Sequence, residues 1–158
     1  MAGNGFECKL EHVTSIMATF AEPEIIGPVP EGLVANYYVT GGELLGPKIV
    51  GNVLPVGDDW FPIRPDGVGI LDVWLTFETD GGALIYNSYY GNADLGPDGY
   101  QQAMEGTLPH DEAIELRTCP RFQTAHPNYQ LLNAAFCIGL GESHIERNMV
   151  KYDIYQAL

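Results

Sequence analysis

The sequence predicts an all-β fold: one antiparallel β-barrel domain of about eight to nine strands with little helix, spanning residues 1–158. Three observations predict it. The chain carries 19 glycines and 11 prolines among 158 residues, well above the usual combined share of about 12%. They recur every few residues from Gly27 to Gly106 rather than gathering in a linker. The segments between these breaks alternate apolar and polar residues with period two, as strands with one buried face do. Closure into a barrel removes the exposed edges that an open sheet must otherwise protect.

Taken in order, Lys9–Phe20 alternates, with Leu10, His12, Thr14, Ile16 and Ala18 on one face. Val34–Val39 is a strand ended by Thr40-Gly41-Gly42, and Leu44–Leu54 is a strand interrupted at Gly46-Pro47 and Gly51 by a bulge or an edge. Leu71–Glu78 is the clearest segment: Leu71, Val73, Leu75 and Phe77 share one face, and Asp72, Trp74, Thr76 and Glu78 the other. Asp80-Gly81-Gly82 is a turn able to adopt positive φ, and Ala83–Tyr90 is rich in β-forming residues, so the two segments form a hairpin. Glu112–Thr118, Leu132–Ile138 and Met149–Tyr155 complete the set. The pieces at 112–118 and 128–138 have helical propensity but lack a clean cap and are read as strands.

Composition excludes several functions. Seven cations against 21 acidic residues give a net charge of -14. That charge cannot displace counterions from nucleic acid, and an anionic membrane surface repels it. No apolar run approaches the ~18 residues that span a bilayer. The segment Met1–Glu11 carries Glu7, Lys9 and Glu11 and lacks an apolar signal core, so a cytoplasmic protein is expected. Cys8, Cys119 and Cys137 are odd in number and far apart, as reduced thiols are; Cys119 between Arg117 and Arg121 is the most reactive candidate. His12, His110, His126 and His144 lack metal-ligand spacing, and no GxSxG string is present. Gly3-Asn4-Gly5 does not open a helix after a strand, so nucleotide cofactors are not expected.

An eight-stranded barrel is either filled by side chains or holds one small ligand. The expectation favoured here is that the polar, aromatic face of the central hairpin lines the lumen as a binding pocket. The converse arrangement, with the apolar face inside, would fill the core.

Several strings recur in a recognisable order: Val53-Leu-Pro-Val-Gly-Asp-Asp-Trp60, Arg64-Pro-Asp-Gly67, Leu71-Asp72, Thr79-Asp-Gly-Gly-Ala-Leu-Ile-Tyr86, Arg117-Thr118, Pro120-Arg-Phe122, Pro127-Asn-Tyr129, Leu132-Asn133 and Tyr152-Asp-Ile-Tyr155. In this order the chain, from Leu10 to Tyr155, resembles the family known as domain of unknown function 3237. Leu131, Ala134 and Gln123 depart from its pattern, at what would be the lower pocket wall. The resemblance implies a closed barrel with a pocket at its mouth, commonly in a homo-oligomer. Its fungal members resemble cofactor-free cyclases that add a phenol oxygen across a prenyl alkene to form a cyclic ether.

Such chemistry needs a proton donor, a dry site and an oriented oxygen. Asp72, mid-hairpin beside Trp74, and Asp59, beside Asp58 and before Trp60, are the candidate acids, each with a structural or turn role as its alternative. Asp66 in Pro-Asp-Gly reads as a turn residue. Arg64 and Arg117 are candidates to hold an oxyanion or to pair with those carboxylates. Trp60, Trp74, Tyr38, Tyr86 and Glu78, with Tyr89 and Tyr90, are candidates to contact a small aromatic substrate, although strand aromatics also serve ordinary packing. The expected function is a cofactor-independent cyclase or isomerase without a metal. A non-catalytic carrier of aromatic ligands and a purely structural homo-oligomer are the alternatives.

Overall fold

In the computed structural model of this chain, Gly5 and residues 7–109 and 111–158 are described. Gly3, Asn4 and His110, which enter two of the motif exclusions above, lie outside the described residues.

Among the described residues nine strands form one sheet: β1 (Leu10–Phe20), β2 (Glu24–Val29), β3 (Gly32–Leu45), β4 (Val50–Ile63), β5 (Val68–Thr79), β6 (Leu84–Asp94), β7 (Ile114–Gln123), β8 (Cys137–His144) and β9 (Met149–Ala157). Neighbours pair antiparallel in the order β1-β9-β8-β7-β6-β5-β4-β3. β1 then pairs again with β3, Ser15 opposite Leu45 through Phe20 opposite Val39, which closes the ring. β2 lies beside the first half of β3, where β1 has ended, as one strand beyond the closed eight. A short helix α1 (Gly99–Glu105) sits in the β6–β7 connection, and a 3-10 helix (Pro127–Ala134) follows β7.

The predicted hairpin forms with Glu78 opposite Leu84 across the turn. The structure corrects three other expectations. β3 does not stop at Thr40-Gly41-Gly42 but runs to Leu45, because Gly42 lets the chain press onto β1: a Cβ there would lie 2.1 Å from the Met17 carbonyl oxygen. The interrupted strand 44–54 is the corner between β3 and β4, with Lys48 N–H donating to the Val13 carbonyl across it. Most of segment 128–138 is the 3-10 helix. His126 caps it by accepting from the Asn128 N–H, and Asn133 bonds both backbone groups of Thr124.

The apolar face of the hairpin points inward. Leu71, Val73, Leu75 and Phe77 are buried, while Trp74 and Glu78 face solvent. This overturns the expectation that the polar face lines the lumen: burying the apolar stripe gains about 25 cal/mol per Å², and burying Asp72 and Glu78 instead would desolvate two charges. At one end the interior is packed solid by Phe77, Phe122, Ile85, Cys137 and Ile154, with Leu132 of the 3-10 helix as a plug. At the other it stays partly open.

β4 reaches that open end through an irregularity. Val53 opposes Phe77 and Gly57 opposes Leu75, so two extra β4 residues are accommodated before Asp59 meets Val73. Gly57 has φ 118° and comes so close to β5 that a Cβ would lie 1.9 Å from the Trp74 carbonyl oxygen. Gly57→Ala is therefore expected to cost at least ~2 kcal/mol in urea unfolding, from backbone strain and lost β4–β5 pairing. A change within ~0.5 kcal/mol would refute that account of the bulge.

Candidate functional site

Beyond the irregularity β4 resumes strict alternation, so Asp59, Phe61 and Ile63 point inward and Asp58 and Trp60 do not. These three residues form one wall of a cavity of about 330 Å³ at the open end of the barrel. Tyr37 of β3, Leu71 of β5, Tyr89 and Ala93 of β6, Leu116 of β7 and Val150 of β9 complete the walls. Leu95 and Leu108 from the β6–β7 connection, and the turn from Ser143 to Asn148, form the rim with Phe20 and Glu22. The rim is tied across its width: the Asn148 side-chain amide donates to Glu22 at 2.9 Å, and the Phe20 N–H donates to the Asn148 carbonyl at 2.8 Å. Asn148 accommodates the tight turn between β8 and β9 with φ 44°.

Asp59 is the polar centre of this space. It is 6% exposed, and its Oδ1 accepts the Asp72 backbone N–H at 3.0 Å. Among the described residues no cation pairs with it. Burial, followed by the neighbouring Asp72 and Asp58 charges, outweighs that hydrogen bond and raises its pKa from 3.8 to about 7. Its carboxyl therefore exchanges a proton near neutrality, as a general acid or base must. Tyr89 lies against Tyr152 with ring centroids 5.4 Å apart, and burial raises both phenols above their ordinary range. The Tyr152 hydroxyl is buried beside Tyr89, and among the described residues it has no hydrogen-bond partner of good geometry. Phe20, Tyr37 and Phe61 make a run of edge-to-face contacts at 6.0 Å spacing from the rim inward. Burial, with the Asp59 and Glu22 charges, also raises the Tyr37 phenol.

Of the candidates read from the sequence, Asp59 and Tyr89 line this cavity and the others stand outside it. Asp72 lies on the outer face, where it accepts from Trp74 Nε1 at 3.1 Å. Trp74 stacks obliquely on Tyr86 at 5.5 Å, and Trp60 is exposed. Tyr38 donates to Glu24 at 2.9 Å on the outside, and Tyr90 and Glu78 are exposed. Arg64 forms a two-pronged pair with Asp66 at the β4–β5 turn, and Arg117 pairs with Glu115 at 2.9 Å. Both arginines thus meet acidic neighbours two residues away rather than Asp59 or Asp72. The reason is strand phase: the outside candidates on strands have the outward parity of their strands, and Arg64 lies just past the end of β4. Leu131, Ala134 and Gln123 are exposed near the plugged end and do not shape the cavity wall.

The sequence reading did not single out Tyr37, Phe61, Phe20 or Tyr152. Alternation from Asp59 identifies Phe61, but Tyr37 and Tyr38 are adjacent aromatics whose phase only the β3–β4 pairing fixes. Among the described residues no group of three or more His, Cys, Asp or Glu has metal-holding geometry.

Comparison with other proteins gives consistent findings. A family model described as "Protein of unknown function (DUF3237)" matches residues 8–157. A protein of Rhodopseudomonas palustris strain TIE-1, described as "UPF0311 protein", is 36% identical over 149 residues, which cover 94% of this chain and 95% of the relative. The crystal structure of a conserved protein of unknown function from Rhodopseudomonas palustris superposes with a TM-score of 0.84 at 32% identity, covering 98% and 100% of the two chains. A β-barrel-like protein from Acinetobacter baumannii gives 0.83 at 25% identity, covering 98% and 99%. A structure described as an enzyme from Penicillium herquei gives 0.70 at 20% identity over the whole of both chains, a likeness of fold.

The native Asp59 carboxyl keeps its proton up to about pH 7, whereas an unfolded one loses it near 3.8. The native state thus holds more protons between those values, and stability falls as pH rises through them. Asp59→Asn keeps the acceptor for the Asp72 N–H without the charge. It is expected to raise stability at about pH 8 by ~2–4 kcal/mol and to flatten the dependence between about pH 4 and 7. Denaturant unfolding across that range measures it; a variant less stable than the parent at about pH 8 would contradict the assignment.

Proposed function

The chain belongs to the family described as protein of unknown function (DUF3237), and from its barrel and cavity we propose a cofactor-independent acid–base catalyst that isomerises a small, largely apolar aromatic substrate. The observation that carries the reading is Asp59: a buried carboxyl lining a largely apolar cavity, without a cation partner among the described residues, and able to exchange its proton near neutrality. The reaction this chemistry supports best is the intramolecular addition of a phenol to a prenyl alkene, giving a cyclic ether in secondary metabolism. A protein of this fold from Penicillium herquei is described as an enzyme.

The step balances without a redox partner. Neutral Asp59 donates its proton to the less substituted alkene carbon, leaving a tertiary cation. The phenol oxygen attacks the tertiary cationic carbon, a C–O bond forms there, and the phenol proton returns to the Asp59 carboxylate. The Asp72 N–H steadies that carboxylate while it is charged. The rings of Tyr37, Phe61 and Tyr89 attract the developing cation, and apolar walls such as Leu71 and Leu116 keep water from trapping it. Tyr37 and Tyr89, not the outward arginines, are the hydroxyl groups available to orient the phenol. About 330 Å³ suits one or two rings with a prenyl arm. The homo-oligomer implied by the resemblance would use the aromatic outer face of β4 and β5, where Trp60 and Trp74 are exposed.

Incubating the protein with an ortho-prenylated phenol is expected to give a chirally enriched cyclic ether. The rate should fall as pH rises through about 7, where Asp59 loses its proton. Asp59→Asn should lower kcat at least ~100-fold, while Asp72→Asn and Arg117→Gln stay within about threefold. Racemic product at the uncatalysed rate would sink the catalytic reading. Binding without conversion would leave a carrier of aromatic ligands.

A further inference from the structure

The charges that line the cavity are carboxylates. Its deepest charged group is Asp59 and its rim carries Glu22 and Glu146; no Lys or Arg lines it among the described residues, and the nearest cation in sequence, Arg147, is exposed in the rim turn between Glu146 and Asn148. A buried carboxylate is normally paired with a cation, yet Asp59 receives a single backbone N–H. Next to it, Tyr37 and Phe61 meet edge to face at 6.0 Å, with Phe20 continuing the run to the rim. Aromatic rings clustered about a carboxylate form a cage suited to substituted ammonium groups, whose charge is spread over methyl groups that pack on ring faces.

We infer that the cavity is a receptor for small hydrophobic ammonium ions, the nitrogen seated between the Asp59 carboxylate and the rings of Tyr37 and Phe61, with the ligand's apolar end toward Leu71 and Leu116. This goes beyond the proposed reaction and does not require turnover. An alkylammonium carries its charge where the tertiary carbocation of that reaction would stand, so such ligands would also occupy the reacting position. Carboxylates and phosphates of the same size are excluded by charge.

The affinity depends on whether Asp59 is ionised. The titratable groups whose charges reach it are Asp58 on β4 and Asp72 on β5, both with outward side chains, and Tyr37 on β3, Tyr89 on β6 and Tyr152 on β9 within the barrel; Glu22, Glu146 and the neighbouring Arg147 stand at the rim. His144 also lines the rim, bonded to Glu142 at 2.8 Å. It is the ionisable rim side chain other than a carboxylate, so His144→Gln serves as the control.

The experiment titrates the full chain, by calorimetry, with benzyltrimethylammonium, its neutral isostere neopentylbenzene and the anion phenylacetate, at about pH 6 and 8.5. The ammonium is expected to bind at least ~10-fold more tightly than neopentylbenzene at the higher pH. It should gain about tenfold in affinity between the two pH values, and phenylacetate should bind weakest. Asp59→Asn should abolish the gain and the preference, whereas His144→Gln should keep both. Phe61→Leu, which keeps the carboxylate and loses the ring, should weaken the ammonium more than the isostere. A neutral isostere binding as tightly as the ammonium at the higher pH, or an Asp59→Asn variant with an unchanged preference, would overturn the inference. Conversion of a prenylated phenol, assayed on the same preparation, separates the two proposals. Turnover without ammonium preference defeats this one alone, and ammonium preference without turnover defeats the catalytic one alone.

Discussion

The pairing of β1 with the second half of β3 is the contact on which the rest of the molecule depends. Ser15 to Phe20 on one strand meet Val39 to Leu45 on the other, and this seam turns a strip of strands into a ring. Before closure both faces of every strand are wet, and no residue is inside. Afterwards Leu71, Val73, Leu75 and Phe77 share one interior with Ile16 and Ala18 from the far side. The seam needs close backbone contact, which explains a glycine at position 42 against the Met17 carbonyl. It also needs a long β3, because one strand must serve β2 along its first half, β1 along its second, and β4 along both.

Closure fixes the circumference but not how the lumen is filled. Toward the 3-10 helix, large side chains meet across the axis, with Phe77 and Phe122 rings 6.3 Å apart. Toward the mouth, the inward positions carry smaller or wall-hugging groups such as Ala93, Leu71 and Val150, and space remains. The packed half gives the cavity a rigid floor. Asp59 is thereby held in one orientation on a strand rather than a loop, in surroundings that do not reorganise when charge moves. The arrangement costs stability above neutral pH, a common trade at sites built for proton transfer.

How much of this was legible in the sequence depends on which physical signal carries each feature. The β5–β6 hairpin was legible from period-two alternation bracketed by Asp80-Gly81-Gly82, since local patterning and turn chemistry agree there. The extent of β3 was not: glycine ordinarily ends strands, and only the approach of β1 explains why two of them continue one. The 3-10 helix was obscured by the same tie between helical and extended propensity that made residues 128–138 ambiguous. Alternation divides Leu71–Glu78 into two faces without saying which is inside. The aromatic and acidic face looked chemical because Trp74, Asp72 and Glu78 gather on it, but the apolar face had the stronger reason to be buried. For Asp58 and Asp59 the limit was sharper still. Adjacent carboxylates point opposite ways, and the irregular pairing between Val53 and Gly57 decides which turns inward.

That decision also explains where the arginines stand. A net charge of -14 makes seven cations scarce, and oxyanion chemistry would place one of them in the cavity. Arg64 and Arg117 instead sit outside with Asp66 and Glu115. Had either reached Asp59, its guanidinium would have favoured the ionised carboxylate and pulled the pKa back toward or below 3.8. Such a group has no proton to give at neutral pH. Keeping cations out is therefore what lets burial outweigh the single Asp72 N–H on Asp59. The same vacancy gives the cavity its preference for ligands that bring or develop positive charge.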